Sequence, residues 1–422
     1  MCVALNRICV KKAERLKGNI QIQGSKNTVL PIIASTVLCS GISKIHNCPC
    51  IKDVDVMIDI LKTLGADVEF TDHVLTVDTT NIKNSKLLPD FTGKLRSSVM
   101  FLGPLIGRYK EAYIGYPGGC LIGTRPIDMH LEGLVQMNVG VRLEKDQICC
   151  KTYYLQGNVI HLRFPSVGAT ENLVMAAVLA YGRTIIRNSA KEPEVIELCN
   201  HLCNMGALIE GIGTDTLIIK GVSRLYPADY CNVFDRIVAG TYMLAAAAVK
   251  SDINLIGIDH IDYIKNVIET AVRLGVNVVK KGNVLTVSSL GKVKKGEFAT
   301  GIYPGFPTDL QPVLMAVLLK GDGVSHLTES IFENRFGLAK ELGKLGADVS
   351  VEEEVASVFP CKDLKGNDVY ARDLRGGAAL VVAGMLSEGI TTVHDIRHVL
   401  RGYEDIVDDM RTLGVDIQYI SC

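Results

Sequence analysis

Leu64-Gly65-Ala66-Asp67-Val68 closes an apolar, helix-like run and opens an alternating, strand-like one, and the chain repeats this turn. Leu274-Gly275-Val276-Asn277-Val278, Leu345-Gly346-Ala347-Asp348-Val349 and Leu413-Gly414-Val415-Asp416-Ile417 have the same form. So does Met205-Gly206-Ala207-Leu208-Ile209, and Met137-Asn138-Val139-Gly140-Val141 is a sixth, worn copy. Glycine just past an apolar run suits the left-handed residue that ends a helix, and asparagine is the next best occupant. The copies recur about every 70 residues, so six units fill the 422-residue chain.

Earlier in each unit lies a stretch of small apolar residues, at 28–38, 99–105, 172–180, 240–249, 312–319 and 378–386. Alanine, valine, leucine and methionine on all sides mark helices enclosed by their own domain. A break and a β-branched strand follow, as in Thr184-Ile185-Ile186 and Thr391-Thr392-Val393. Each unit therefore reads as strand, helix, strand, helix and two strands. Three such units, with helices inside and sheets outside, make one domain, so the expected class is α/β with two three-unit domains. The boundaries expected are 26–233, carrying the loop 116–126, and 1–25 together with 234–422, with the active site in the cleft between them. Phe234-Asp235-Arg236 opens the fourth unit, whereas the strand around Asn19-Ile20-Gln21-Ile22 fits either domain.

Lys plus Arg total 45 against 46 for Asp plus Glu, which leaves no global field for nucleic acid or an anionic membrane. No run of 18 apolar residues is present, and Met1-Cys2-Val3-Ala4-Leu5-Asn6-Arg7 has no signal-peptide core. The 13 cysteines are scattered rather than framed for disulfides, which points to a reducing cytoplasm. Cys48-Pro49-Cys50, Cys149-Cys150 and the Cys199/Cys203 pair lack the matched halves of a zinc site, so no metal is expected.

Tyr116-Pro117-Gly118-Gly119-Cys120-Leu121-Ile122-Gly123-Thr124-Arg125-Pro126 puts a thiol after two glycines and a cation before a proline suited to a helix start. Nearby positive charge lowers a thiol pKa, so Cys120 suits proton donation or nucleophilic attack. Lys26, Arg96, Arg236 and Arg375 also lie at first-helix starts, where acids are the usual choice, and Arg125, Arg335 and Arg401 lie at second-helix starts. A ring of cations at helix starts implies a ligand with several negative charges. Asp309 is the acid in this ring, either a first-turn acid following Thr308 as N-cap or a general base.

Ser25-Lys26-Asn27, Leu95-Arg96-Ser97-Ser98, the run Pro117 to Asp128, Ser166-Val167-Gly168-Ala169-Thr170, Phe306-Pro307-Thr308-Asp309, Phe332-Glu333-Asn334-Arg335, Asp373-Leu374-Arg375 and Arg401-Gly402-Tyr403-Glu404 carry a resemblance over essentially the whole chain. The chain resembles the UDP-N-acetylglucosamine 1-carboxyvinyltransferases, enolpyruvyl transferases of the EPSP synthase-like superfamily that begin peptidoglycan precursor synthesis. The resemblance implies a two-domain inside-out α/β barrel whose N-terminal strand returns to the second domain. It implies attack of the sugar 3′-hydroxyl on C2 of phosphoenolpyruvate, protonation at C3 and loss of phosphate, with no metal or organic cofactor.

Carried over by motif, Cys120 is the proton donor, the target of the epoxide fosfomycin, and Asp309 the base, with Lys26 and Arg375 also catalytic. Lys26, Asn27, Arg125, Arg375 and Arg401 would hold phosphoenolpyruvate. Asn27, Arg96, Arg125, Pro126, Ile127, Asp128, Met129, Ser166, Val167, Gly168, Asp309 and Ile331 would contact the nucleotide sugar. The chain departs from the family at Phe164, where a lysine is usual, so that one contact to the diphosphate is either absent or replaced by Arg163, at Leu400, where an aspartate is usual, and at Asn138. Shikimate-type transfer would need no thiol at 120, and Leu400 suggests a second alternative, a catalytically weak duplicate that binds nucleotide sugar or regulates.

Overall fold

The structure, a computed structural model, describes residues 5–87, 92–93, 95–118, 123 and 126–421. The repeated turn has one geometry. Gly65, Asn138, Gly206, Gly275, Gly346 and Gly414 all have positive φ, at 102°, 65°, 103°, 101°, 88° and 94°. In the first copy Gly65 N donates to Lys62 O and Ala66 N to Leu61 O, each at 3.0 Å, and the other five turns repeat both bonds. The longer-range bond of each pair is that of a Schellman turn, which satisfies the last carbonyls of a helix. At Gly414 an added Cβ would meet nothing within 4 Å, so only backbone strain opposes a side chain there. Gly414→Ala is expected to cost about 1–2 kcal/mol in urea unfolding, and Gly414→Asn less. An alanine variant as stable as the parent would show that the turn does not need its left-handed residue.

The described residues form six four-stranded sheets of one strand order. In the third unit Val159–His161 runs parallel to Arg183–Arg187, which pairs antiparallel with Thr216–Lys220, itself antiparallel to Leu208–Glu210. The helices between are Val167–Ala177 and Pro193–Asn204. This is the expected strand, helix, strand, helix, two-strand unit.

Two compact units result, one from the described residues of 24–233 other than 123, the other from 5–23, 123 and 234–421. In the second, Arg15–Gln21 runs parallel to Lys250–Ile256, and Leu5–Lys11 lies between Ile390–His394 and Ile417–Ser421. In the first, Tyr230–Cys231 runs parallel to Ile42–His46. The short strand before each unit's opening helix thus pairs within the other unit's chain segment, which settles where the 19–22 stretch belongs.

Each core is built on the enclosed helices. Arg236–Ala247 and Leu374–Met385 are buried along their full length, and Val167–Ala177 from Ala169 on. Second helices are amphipathic instead: Lys52–Leu64 turns Val54, Met57, Ile58, Leu61 and Leu64 inward at three- and four-residue spacing. The enclosed helices begin two to five residues before the apolar stretches do, because their first turns carry the polar caps Ser25, Ser166, Asp235 and Asp373. The 99–105 stretch splits into a 3₁₀ turn, Arg96–Phe101, and the helix Leu102–Tyr109. Among the described residues no helix is long and apolar enough to cross a membrane.

Candidate active site

In the 24–233 unit, Ser25 Oγ accepts from Thr28 N at 3.3 Å and caps Lys26–Ser35, making Lys26 the first helical residue. Its Nζ lies 2.6 Å from Asp53 Oδ2, with both side chains nearly buried. A cation that is unfavourable at a helix start is therefore offset by a carboxylate from the next helix, and an anionic ligand would share Lys26 with Asp53. Asn27 Nδ2 donates to Glu194 Oε1 at 3.5 Å.

Arg96 opens the 3₁₀ turn and its Nη2 donates to Pro126 O at 3.1 Å. Ile127 precedes the helix Asp128–Gln136, in which Asp128 Oδ1 accepts from Met129 N at 2.8 Å. The other Asp128 oxygen takes Arg163, whose Nη1 also donates to Glu132 at 2.7 Å. Arg163 thus meets two carboxylates with its side chain half exposed, and Phe164 itself is exposed. Ser166 Oγ accepts from Ala169 N and caps Val167–Ala177.

Arg96, Asp128 and Gly168 come together around a residue that sequence reasoning did not select, His130. Its imidazole is buried, and burial pushes its pKa down to about 3, with Arg96 adding to the effect and Asp128 opposing it. Cys120 and Arg125 lie outside the described residues. Before them, Gly118 N donates to Thr92 O at 2.9 Å, and a Cβ at 118 would come within 1.9 Å of Gly93 O, so only glycine fits.

The second unit holds a tighter constellation. Asp309 Oδ1 accepts from Arg335 Nη2 at 2.8 Å, and Oδ2 from Arg375 Nη2 and Nε at 3.0 and 3.2 Å. Both guanidinium side chains are 3% exposed, against 28% for the carboxylate. Arg335 Nε donates to Thr308 O, and Asp373 caps Leu374–Met385 by accepting from Arg375 N and Gly376 N. Burial opposes the Arg375 charge, but Asp309, Tyr403 and Asp235 together outweigh it and the group remains a cation, set over the Tyr403 ring at 5.7 Å. Among the described residues Arg375 Nη1 is buried with no hydrogen-bond partner. A buried donor left open on a charge-paired arginine is a ready anchor for an anionic oxygen.

Thr308 is not the N-cap: its hydroxyl donates to Glu329 Oε2 at 2.7 Å, and Pro307 stands at the cap position. The other Glu329 oxygen accepts from Ile331 N at 2.8 Å, so this buried acid fixes the backbone at Ile331. Arg401 ends the 3₁₀ turn Ile396–Arg401 rather than opening a helix, where its charge suits the helix dipole. Asp53 and Glu329 were missed by sequence reasoning because an acid 27 or 21 residues from its partner leaves no periodic signal.

A family model described as EPSP synthase (3-phosphoshikimate 1-carboxyvinyltransferase) matches residues 10–410. A protein of Caldanaerobacter subterraneus subsp. tengcongensis named UDP-N-acetylglucosamine 1-carboxyvinyltransferase 2 is 44% identical, over 98% of this chain and 99% of its own. The Clostridium acetobutylicum protein named UDP-N-acetylglucosamine 1-carboxyvinyltransferase 1 is 41% identical over 99% and 100%. Among solved structures, the enolpyruvyl transferase NikO from Streptomyces tendae matches with a TM-score of 0.89 at 26% identity, covering 99% of both chains. EPSP synthase from Acinetobacter baumannii matches at 0.76 and 17% identity over 98% of this chain and 100% of its own, a likeness of fold alone.

Proposed function

Since the chain belongs to the EPSP synthase family, we propose that it transfers the enolpyruvyl group of phosphoenolpyruvate to the 3′-hydroxyl of UDP-N-acetylglucosamine, releasing phosphate. This is the opening step of peptidoglycan precursor synthesis. The observation that carries the reading is the clamped carboxylate: Asp309 between Arg335 and Arg375, with Arg375 Nη1 buried and unbonded among the described residues.

Phosphoenolpyruvate brings a phosphate and a carboxylate, each a natural acceptor for guanidinium donors. Lys26, Asn27, Arg125, Arg375 and Arg401 would hold it, and Arg96, the run Arg125 to Met129, Ser166 to Gly168 and Ile331 would hold the nucleotide sugar. Asp309 would take the hydroxyl proton as the sugar oxygen bonds to C2, while Cys120 delivers a proton to C3. The resulting tetrahedral carbon then expels phosphate, restoring the double bond as C3 gives up a proton. The sequence is an addition across the double bond followed by an elimination, each coupled to a proton transfer that an acid or a base of the chain can serve.

The test is a phosphate-release assay. Phosphate is expected only when phosphoenolpyruvate and UDP-N-acetylglucosamine are supplied together. Release with shikimate 3-phosphate as acceptor would reassign the substrate, and binding of both ligands without release would point to a binding or regulatory duplicate.

A further inference from the structure

We propose that a cleft on the outer side of the third unit is a second ligand site, which takes a small anion carrying a flat ring, the chemistry of a nucleoside monophosphate.

The cleft has a volume of about 1080 Å³, room for a molecule of that size, and all the residues lining it belong to the 24–233 unit. Its floor is the solvent-facing side of the third unit's sheet. Leu217 and Ile219 are buried against the core, so Ile218 and Lys220, which alternate with them, face outward. Across the sheet Arg183, Lys220 and Leu208 stand in one row, and Ile185, Ile218 and Glu210 in the next.

The row of cations is the first observation. Arg183 and Lys220 are directly opposite each other on neighbouring antiparallel strands, a placement in which like charges repel. Among the described residues neither side chain has a hydrogen-bond or ion-pair partner, and Glu210, the acid in the wall, pairs with neither. Lys110, the third cation, is already engaged, its Nζ donating to Gly107 O at 2.6 Å. Two adjacent charges without a counter-charge make a seat for an anionic oxygen, which each can meet with a charge-assisted hydrogen bond.

The rings are the second observation. Tyr154 and Tyr181 line the cleft with their rings 5.3 Å apart, yet they remain 46% and 68% exposed. Their backbones are held in place. Tyr181 N donates to Leu155 O and Tyr181 O accepts from Gly157 N, both at 2.8 Å, and Tyr154 N donates to Thr152 Oγ1 at 3.1 Å. Aromatic faces kept in water at fixed positions suit stacking against a planar ring, and the exposed Leu208 extends the apolar wall. Tyr181 and Arg183 are two residues apart, so one short segment presents both ring and charge. A concave wall of this size fits a metabolite rather than the broad surface of a protein partner.

The test measures binding of AMP, GMP and CMP by calorimetry to the full chain, to its Arg183→Gln/Lys220→Gln variant and to its Tyr181→Ala variant. At least one of these nucleotides is expected to bind the parent chain, and to bind each variant about tenfold more weakly. The substituted side chains are exposed, so both variants are expected to unfold at the parent's temperature. Excess UDP-N-acetylglucosamine and phosphoenolpyruvate should leave the binding unchanged. Failure of all three nucleotides to bind the parent would overturn the proposal, as would undiminished affinity in either variant. Displacement by UDP-N-acetylglucosamine or phosphoenolpyruvate would place the nucleotide elsewhere and overturn it too, and inorganic phosphate binding as tightly as the nucleotide would remove the rings from the assignment.

Discussion

Asparagine in place of Asp309 is expected to lower kcat by about 10²–10⁴-fold without raising KM for phosphoenolpyruvate. The side chain keeps its shape but can no longer take a proton from the sugar hydroxyl. It also deprives Arg335 and Arg375, which now share one carboxylate through three hydrogen bonds, of their nearest counter-charge, leaving Asp373 at 3.9 Å from Arg335. Two buried cations released in this way favour an incoming anion, so ground-state binding of phosphoenolpyruvate should hold or tighten while the chemistry fails. The same change breaks a nearly buried ion pair, a class of lesion that costs up to about 3–5 kcal/mol, less here because the carboxylate is partly exposed. Circular dichroism should therefore confirm folding before kinetics are read. A kcat within tenfold of the parent would remove Asp309 from the role of base.

Cys120→Ala is expected to abolish selective labelling by the epoxide fosfomycin and to cut turnover by at least about 10²-fold. Labelling requires the thiolate, and several rivals among the described residues are poorly placed to form it. Burial pushes the Cys39 thiol up to about 11 and those of Cys150 and Cys199 up to about 12. Cys50 and Cys231 are exposed and are the controls that matter. Peptide mass spectrometry after brief exposure should find the adduct at Cys120 well before either. Equal labelling of all three would show that residue 120 has no special reactivity.

Much of the architecture could be read from one recurring turn. The left-handed residue at positions 65, 138, 206, 275, 346 and 414 is a local requirement, met by residues adjacent in sequence, and such requirements leave a pattern. Even the worn copy obeyed it, since Asn138 tolerates the same backbone as glycine. Helix starts were less legible, because periodicity detects apolar residues whereas a helix begins at its polar cap, as at Ser166 and Asp373.

The ion pairs were not legible at all. Lys26 meets Asp53, and Arg375 meets Asp309 across 66 positions, through folding rather than through any local rule. Sequence reasoning grouped the cations by their places at helix starts but had no means of seeing that acids accompany Lys26, Arg335 and Arg375. It also passed over His130, which carries no signal beyond being a histidine next to a motif.

The exchange of short strands bears on how the polypeptide is made. The 24–233 body has all its pieces once Tyr230–Cys231 has left the ribosome and can close while synthesis continues. Its sister body cannot: Leu5–Lys11 must wait for Ile417–Ser421, its partner about 400 positions further along the chain. A nascent chain therefore carries an unmated edge while all the residues between these strands are made, an invitation to mispairing that a host is expected to meet with chaperone cover over Leu5–Lys11.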